Sequence, residues 1–489
     1  MKEKNLLKNK SLFKLAMLIN IYFFSVHFLQ YVSYFGIVLL VVWGIIIIAQ
    51  DFYYKRTKKV YLWKLSLSFL VAGLVSHVLN LTPNVESYFS ALVGIVLLVI
   101  TAIFMYVFIP TNREKKGRIS KEIYTIGKFY IYATFILNII GIALLLFFKS
   151  SLGERIIIYD NRFTGAYINP NMGAFNCFLT IVFAGFLTST KFCKNIGKRK
   201  MNKIFVNIAL AVSYLVIAIS DSKGALLALV AFLLCFCGFT VYKAFVTKKM
   251  YHIKFAAIGI VMTAVVVLAV SPCQKAMSYV VNNTDFAPFE ISVSAETENE
   301  KVQKADESEI TFDHEAEKEV NGGGRLNLYM KSIEFFKEKP IFGWGAGNML
   351  LMGEATEVNT IDNLQIDLGS KIFEAHNGYL TILATGGIVG FVLFIALVGI
   401  MLSVIFANTR FKVKYGGIGK TAIITAAIIA FLVYALVEPS LVYYPCASVA
   451  TLWFFLGAGL QSAANNKKLN LNITLKEIVG FKEPGEFDD

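Results

Sequence analysis

Runs of about 20 apolar residues recur along most of this chain, and they constrain its fold more than any other feature. Hydrophobic residues make up 56% and charged residues 16% of the 489 positions, and the mean hydropathy is +0.61. A helix needs roughly 20 apolar residues to cross the hydrocarbon core of a bilayer, and soluble domains do not repeat such runs. The sequence therefore predicts an all-α polytopic membrane protein.

Twelve transmembrane helices are predicted from these runs. They are placed near residues 12–31, 34–50, 61–80, 88–110, 124–148, 171–189, 203–219, 224–243, 254–271, 377–406, 420–438 and 441–462. The predicted organisation is a membrane domain at 1–271 with helices 1–9, a large loop at 272–376, helices 10–12 at 377–462, and a cytoplasmic tail at 463–489.

Lysine and arginine are concentrated in alternate connectors between these helices. The basic connectors are Tyr54–Lys59, Asn112–Arg118, Lys191–Lys203, Lys243–Lys254 and Arg410–Lys420. Because cytoplasmic loops carry the excess of cations, the pattern predicts a multi-pass protein of the cytoplasmic (inner) membrane with both termini in the cytoplasm. The loops 149–170, 220–223, 272–376 and 439–440 then face outward, so an active site built from them is extracytoplasmic.

The net charge of +14 does not indicate a nucleic-acid partner. The basic residues lie between apolar runs, where they set orientation and contact anionic membrane lipids. We expect membrane lipids as partners, and no nucleic acid.

The large loop between helices 9 and 10 has two distinct parts. An acidic insert at 295–320 is expected to be a solvated helix or a disordered segment. Near 325–338, apolar residues recur at intervals of three and four, which predicts an amphipathic helix that can lie on the membrane surface. These residues are Leu326, Tyr329, Met330, Ile333 and Phe336. The GWGAGN sequence that follows Pro340 either lets the backbone approach a glycan or simply forms a turn.

Three regions carry motifs that are similar to those of a known family. They are RFTGAYINPN from Arg162, SDSKGALLALV from Ser220, and the pair formed by RLNLYMKSIEFFKEKPIFGWGAGN from Arg325 and HNGYLTILATGGIVG from His376. In order and spacing, over roughly residues 160–405, these regions resemble the O-antigen ligase and O-antigen polymerase (Wzy-type) superfamily of membrane glycosyltransferases. His376 and Asn377, followed by Gly387 and Gly390, match the histidine motif of that family.

The resemblance implies a helical membrane fold of the C type among glycosyltransferases, with no cofactor and no metal. Such enzymes transfer a glycan from an undecaprenyl diphosphate carrier to a glycan, lipid or wall acceptor, and other polysaccharide export components are further expected partners. By resemblance, Arg162 and Arg325 hold the donor diphosphate and His376 is the catalytic residue that activates the acceptor. Members often carry arginine where this chain has Lys223, which either neutralises phosphate as a point charge or caps the turn between two helices.

The chemistry of such a transfer agrees with these residue types. A departing diphosphate accumulates negative charge, which fixed guanidinium groups can stabilise, and the sequence has no outward DxD-like carboxylate cluster. A neutral imidazole can accept the proton of the acceptor hydroxyl near pH 7. His376 is the one histidine that the predicted topology places at the outer membrane boundary, whereas His27 and His77 are expected to pack between helices. The competing explanation for Arg162 is an interface residue that reaches toward water.

Five further residues are expected to support the site, namely Asn169, Asn171, Asp221, Asn377 and Glu438. Asp221 either pairs with Lys223 or accepts a hydrogen bond from the acceptor. Glu438 precedes Pro439 at a predicted helix end, so it is either a second carboxylate for acceptor binding or an ordinary helix-end charge in water.

Two classes of function remain after these considerations. A glycosyltransferase of surface polysaccharide synthesis is the first. The abundance of Lys, Ile and Asn indicates an AT-rich bacterial genome. If that host has a single membrane, the product is capsule, exopolysaccharide or a wall-linked glycan, and polymerase is favoured over ligase. A lipid-linked oligosaccharide flippase or transporter is the alternative. Transporters place charges at the bilayer midplane and are built from repeats. This sequence shows no internal repeat and few ionisable residues in its predicted spans, which favours chemistry at the membrane surface.

Overall fold

The computed structural model describes residues 9–55, 60–83, 85–110, 117–148, 157–159, 161–283, 310, 312, 324–348, 375–464 and 466. Within these ranges the chain is nearly all helical, with one short antiparallel hairpin. The elements are α1 (Lys10–Phe24), α2 (Gln30–Tyr53), α3 (Trp63–Leu79), α4 (Val85–Val107), α5 (Arg118–Phe148), β1 (Ile157–Tyr159), β2 (Arg162–Gly165), α6 (Pro170–Leu187), α7 (Thr190–Asn195), α8 (Lys203–Ile219), α9 (Lys223–Thr247), α10 (Tyr251–Leu268), α11 (Val270–Asn283), α12 (Gly324–Glu338), α13 (Gly378–Gly416), α14 (Lys420–Tyr434) and α15 (Ala447–Ala464). Short 3₁₀ turns cover His27–Leu29 and Ala346–Asn348.

Eight of the described helices are long and apolar enough to cross a membrane, and the protein is therefore a polytopic membrane protein. They are α2, α4, α5, α6, α9, α10, α13 and α15, and α3, α8 and α14 are shorter apolar helices. Helices α6 and α15 are buried on almost all sides, whereas α10 exposes most of its apolar surface. The centre of the bundle is therefore α6 and α15, and the total of twelve spans stays a prediction.

The first predicted helix, 12–31, is interrupted in the structure. Helix α1 ends at Phe24, and Val26 forms an isolated antiparallel bridge with Tyr167. The amide of His27 donates to the carbonyl of Ala166 at 3.0 Å. His27 therefore lies beside the segment that follows Arg162. The apolar run concealed this break because pairing with a distant segment leaves no local signal.

The last two predicted helices do not meet in the tight turn expected at 439–440. Helix α14 ends at Tyr434 and α15 begins at Ala447, and the apolar residues 441–443 between them are buried. Their peptide groups bond to side chains: the amide of Tyr443 donates to Thr101 Oγ1 at 3.1 Å, and Trp453 Nε1 donates to the carbonyl of Leu441 at 3.1 Å. Glu438 consequently lies in a non-helical segment, 435–446, rather than at a helix end.

Helix α13 is broken at Gly387, whose φ of 58° and ψ of −166° are not helical. The segment 340–345 fills the break and bonds to both sides of it. The amides of Trp344 and Gly345 donate to the carbonyls of Ala384 and Thr385 at 3.0 and 2.7 Å. On the other side, the amides of Ile388 and Val389 donate to the carbonyls of Pro340 and Ile341, at 2.8 and 3.1 Å. Because lipid offers no hydrogen bonds to a broken helix, this segment replaces the lost partners.

The glycines of GWGAGN are therefore explained by packing. Gly343 has a φ of 68°, and an added Cβ would lie 2.6 Å from the carbonyl carbon of Thr385, which is backbone and cannot move aside. The hydroxyl of Ser76 also donates to the carbonyl of Gly343 at 3.1 Å, so this turn is bound to α3 as well. The turn is part of the bundle rather than an open loop.

Substituting Gly343→Ala is expected to lower the midpoint of thermal unfolding in detergent. A non-glycine residue in the left-handed region costs about 1–2 kcal/mol, and the clash with α13 adds to that cost. Gly399→Ala is the matched control, because an added Cβ there meets nothing within 4 Å and alanine favours a helix by about 1 kcal/mol. If Gly343→Ala had the same midpoint of thermal unfolding as the wild type, the segment 340–345 would not stabilise α13.

The predicted large loop contains two described helices, α11 and α12. The acidic insert 295–320 lies outside the described residues except for Ile310 and Phe312, and the tail 463–489 does so from 467 onward. Asn282 of α11 exchanges two hydrogen bonds of 3.2 Å with the backbone of Ile310. On α12, Phe335 is buried, but part of the apolar face predicted for this helix is exposed, at Leu326, Met330 and Ile333.

Candidate functional site

Arg162 is the first residue of β2 and holds the start of α6 against the turn between α8 and α9. Its Nε donates to the carbonyl of Ser220 at 2.8 Å, and its Nη2 donates to Asn171 Oδ1 at 2.6 Å and to the carbonyl of Asp221 at 3.5 Å. A guanidinium can place several donors in fixed directions at once, which a lysine cannot. Arg162 therefore binds protein oxygens on two segments, and it is not an interface residue that merely reaches toward water.

Asn169 and Asn171 organise the N-terminus of α6. Asn169 is the N-cap, and its Oδ1 accepts from the amide of Asn171 at 2.7 Å, with Pro170 at the first helical position. The side chain of Asn171 accepts at Oδ1 from Arg162 and from Ser222 Oγ at 3.0 Å, and donates from Nδ2 to Glu438 Oε1 at 2.9 Å. One amide thus connects Arg162 to Glu438.

Glu438 is the carboxylate on which the predicted site residues converge. Besides Asn171, it has Arg325 Nη2 at 3.5 Å from Oε1 and His376 Nδ1 at 3.8 Å from Oε2. Its side chain is only 13% exposed, whereas those of Arg325 and His376 are 43% and 32% exposed. Arg325 and His376, which are far apart in sequence, therefore lie around one partly buried negative charge and remain accessible to a ligand.

The segment that carries His376 is fixed to the segment that carries Glu438. Asn377 is the N-cap of α13, with Oδ1 accepting from the amides of Tyr379 and Leu380, and its Nδ2 donates to the carbonyl of Leu436 at 3.0 Å. The next amide, of Gly378, donates to the carbonyl of Glu438 at 3.1 Å. His376 itself has a φ of 44°, an uncommon conformation for a residue with a side chain, and such strain is often found at functional sites.

Lys223 and Asp221 lie in the turn that Arg162 holds. Asp221 has a φ of 44° and contributes its backbone carbonyl to Arg162, and Lys223 is the exposed first residue of α9. The N-cap of α9 is Ser222, whose Oγ accepts from the amide of Ala225 at 3.4 Å. The roles of the Lys223 and Asp221 side chains in substrate binding stay predictions.

Tyr329 is a residue of this site that the sequence showed only as part of an apolar face. Its hydroxyl donates to the carbonyls of Leu436 and His376 at 3.2 and 3.5 Å. Burial raises the pKa of this hydroxyl, although the nearby Arg325 lowers it, so the group remains protonated at physiological pH. Its position four residues after Arg325, on the same face of α12, is the sequence signal that links the two.

The geometry can be compared with known proteins at this point. Residues 208–395 match the O-antigen ligase family model. The match confirms the resemblance to the O-antigen ligase and polymerase superfamily and supports a role as a membrane glycan ligase or polymerase. No curated protein matches the chain.

The O-antigen ligase match does not contain the whole site. Lys223, Arg325 and His376 lie inside the matched range, as do Asp221 and Asn377, whereas Arg162, Asn171 and Glu438 lie outside it. The ion pair of Arg325 with Glu438 therefore joins the matched range to the segment that follows it, whereas the hydrogen bond of Asn171 with Glu438 joins two segments that flank the matched range.

Arg162→Lys is expected to lower glycan transfer by at least tenfold and to lower the midpoint of thermal unfolding, because one ammonium cannot replace three directed contacts. The measurements are initial rates with purified protein and a melting curve in the same detergent. Arg199→Lys is the control, since the Arg199 side chain is exposed outside the site. Equal rates for Arg162→Lys and wild type would mean that positive charge alone is needed at this position.

Proposed function

We propose that the protein is a metal-independent glycosyltransferase that polymerises or ligates glycan repeat units delivered on undecaprenyl diphosphate. It acts at the outer face of the cytoplasmic membrane in surface polysaccharide synthesis, and polymerase is favoured over ligase. The observation that carries this proposal is the approach of Arg325 and His376 to the same carboxylate, Glu438, which Asn171 connects to Arg162.

Arg325 is the residue best placed to receive the donor diphosphate. It is partly exposed, and its contact with Glu438 is a single ion pair that a doubly charged diphosphate can displace. Arg162 uses its Nε and Nη2 on protein oxygens, so it adds positive charge to the site while it positions Asn171 and the turn that bears Lys223. The proposal thus assigns direct contact with the diphosphate first to Arg325.

His376 is assigned the role of general base. Its imidazole accepts the proton of the acceptor hydroxyl at Nε2, the acceptor oxygen forms a bond to the anomeric carbon, and the bond from that carbon to the diphosphate breaks with its electron pair leaving on phosphate. Glu438, at 3.8 Å from Nδ1, then stabilises the imidazolium. Fixed cations supply the charge stabilisation of the leaving group in this scheme, so a chelator is expected to have no effect.

A transfer assay tests the proposal. The purified protein in detergent receives lipid-diphosphate-linked glycans extracted from its own host, with and without a chelator. Elongation of the lipid-linked glycan, unaffected by the chelator, would establish a polymerase, and movement of the glycan to a different acceptor would establish a ligase. Transfer that the chelator abolishes would remove metal independence from the proposal.

The assay also addresses the alternative function. Absence of any product, together with movement of the lipid-linked glycan across reconstituted vesicles, would contradict the proposal and favour a flippase.

A further inference from the structure

The carbonyl of Leu436 connects the three segments that carry Arg325, His376 and Glu438. It accepts from Tyr329 on α12 at 3.2 Å and from Asn377 Nδ2 at 3.0 Å. Tyr329 is one helical turn from Arg325, Asn377 follows His376, and Leu436 lies two residues before Glu438. The donors to this one carbonyl thus help to hold the three proposed functional groups in position.

The beginning of α12 is attached to the site mostly by polar contacts. Arg325 Nη1 donates to the carbonyl of Val437 at 3.3 Å, in addition to the ion pair with Glu438, and Tyr329 reaches both Leu436 and His376. Of the neighbouring apolar side chains, Leu328 is buried but Leu326 and Met330 are exposed. Apolar support for this end of α12 therefore comes mainly from Leu328, and the polar contacts of Arg325 and Tyr329 add to it.

The carboxylate of Glu438 and a donor diphosphate would compete for Arg325. The guanidinium that forms the ion pair with Glu438 is the one that the proposed function assigns to the diphosphate. The two contacts of Tyr329 are to backbone carbonyls and do not compete with phosphate. Tyr329 can therefore keep α12 in place while Arg325 exchanges Glu438 for the donor.

We propose that Tyr329 is a positioning residue that holds α12 on Leu436 and His376, so that Arg325 remains beside His376 when its contact with Glu438 is replaced by the donor. The inference rests on the proposed function for the role of Arg325, but the attachment of α12 by Tyr329 can be measured without any reaction.

Tyr329→Phe removes the hydroxyl and nothing else. It is expected to raise the KM for the lipid-diphosphate donor by up to about tenfold, as the loss of one hydroxyl donor shared between two carbonyls implies, with a smaller fall in kcat. Because the effect acts through Arg325, Tyr329→Phe in an Arg325→Ala background is expected to cause no further loss. A fall in the double variant equal to that in the single variant would overturn the role in positioning Arg325.

Hydrogen exchange of the full-length protein in detergent supplies a readout that needs no activity. Tyr329→Phe is expected to increase exchange in the first turns of α12 more than in α13. Tyr214→Phe is the matched control, since its hydroxyl also donates to a backbone carbonyl, that of Val266 at 2.5 Å, between α8 and α10. Unchanged hydrogen exchange in α12 of Tyr329→Phe would overturn the inference, even if the protein catalyses glycan transfer. If exchange in α12 increases but the wild-type protein catalyses no transfer, the role of Tyr329 in attaching α12 is supported and only the proposed function is contradicted.

Discussion

Replacing His376 with alanine is expected to lower the kcat of glycan transfer by about 10²–10⁴-fold, the usual contribution of a general base. The imidazole lies beside Glu438 and is partly exposed, so it can meet an acceptor hydroxyl while the carboxylate stabilises its protonated form. Affinity for the lipid-linked donor should change little, because the proposal assigns the diphosphate to Arg325. Single-turnover rates at saturating donor, together with a separate binding measurement, distinguish the two quantities.

The control for this prediction is His252→Ala. His252 is at the start of α10, where its ring packs on Tyr251 with 3.9 Å between ring centroids, and it has no place in the proposed chemistry. Its substitution should leave kcat unaltered. If His376→Ala had the same kcat as this control, His376 would not be the general base. Its position before α13 would then have only a structural role.

The sequence predicted that Arg162, Arg325 and His376 lie near one another, but not the side chains that connect them. Sorting the loops by lysine and arginine placed Arg162, Lys223, Arg325 and His376 on one face, and the structure brings Arg162, Arg325 and His376 into one network through Asn171 and Glu438. This worked because basic residues at helix ends reflect the orientation of each helix, which is a local property.

The contacts of Glu438 could not be predicted in the same way. The apolar residues Leu441 to Tyr443 extend the hydropathy signal across a segment that is not helical, so the sequence left open whether Glu438 is a second carboxylate of the site or an ordinary helix-end charge. Backbone groups of this segment bond to Thr101 on α4 and to Trp453 on α15, which the local sequence does not reveal. Hydropathy records burial but not backbone conformation.

The break in α13 shows the same limit. The sequence has glycine at 343 and 387, and glycine permits positive φ, but the pairing of 340–345 with 384–389 joins two segments that are far apart in the sequence. Likewise, the partners of Arg162 on the α8–α9 turn are backbone carbonyls, which every residue has, so no residue type in the sequence identifies them.

Glu438→Gln is expected to separate donor binding from turnover. The glutamine keeps the size of the side chain, and its Oε1 can still accept from Asn171 Nδ2, but it carries no charge to attract Arg325 or to stabilise the imidazolium of His376. Loss of a charged partner for the imidazolium implies a fall in kcat of about 10–100-fold. Donor affinity should stay the same or improve, because Arg325 no longer has to leave a carboxylate before it binds phosphate.

The test of this separation uses kcat and the dissociation constant of the donor, measured for Glu438→Gln beside Glu334→Gln. Glu334 is an exposed residue of α12 that pairs with Lys331 at 2.9 Å, so its substitution removes the same charge outside the site and should alter neither quantity. An unchanged kcat in Glu438→Gln would mean that the carboxylate does not assist His376. A weakened donor affinity would mean that Glu438 orients Arg325 for the diphosphate instead of competing with it. That result would contradict the proposed exchange of Glu438 for the donor.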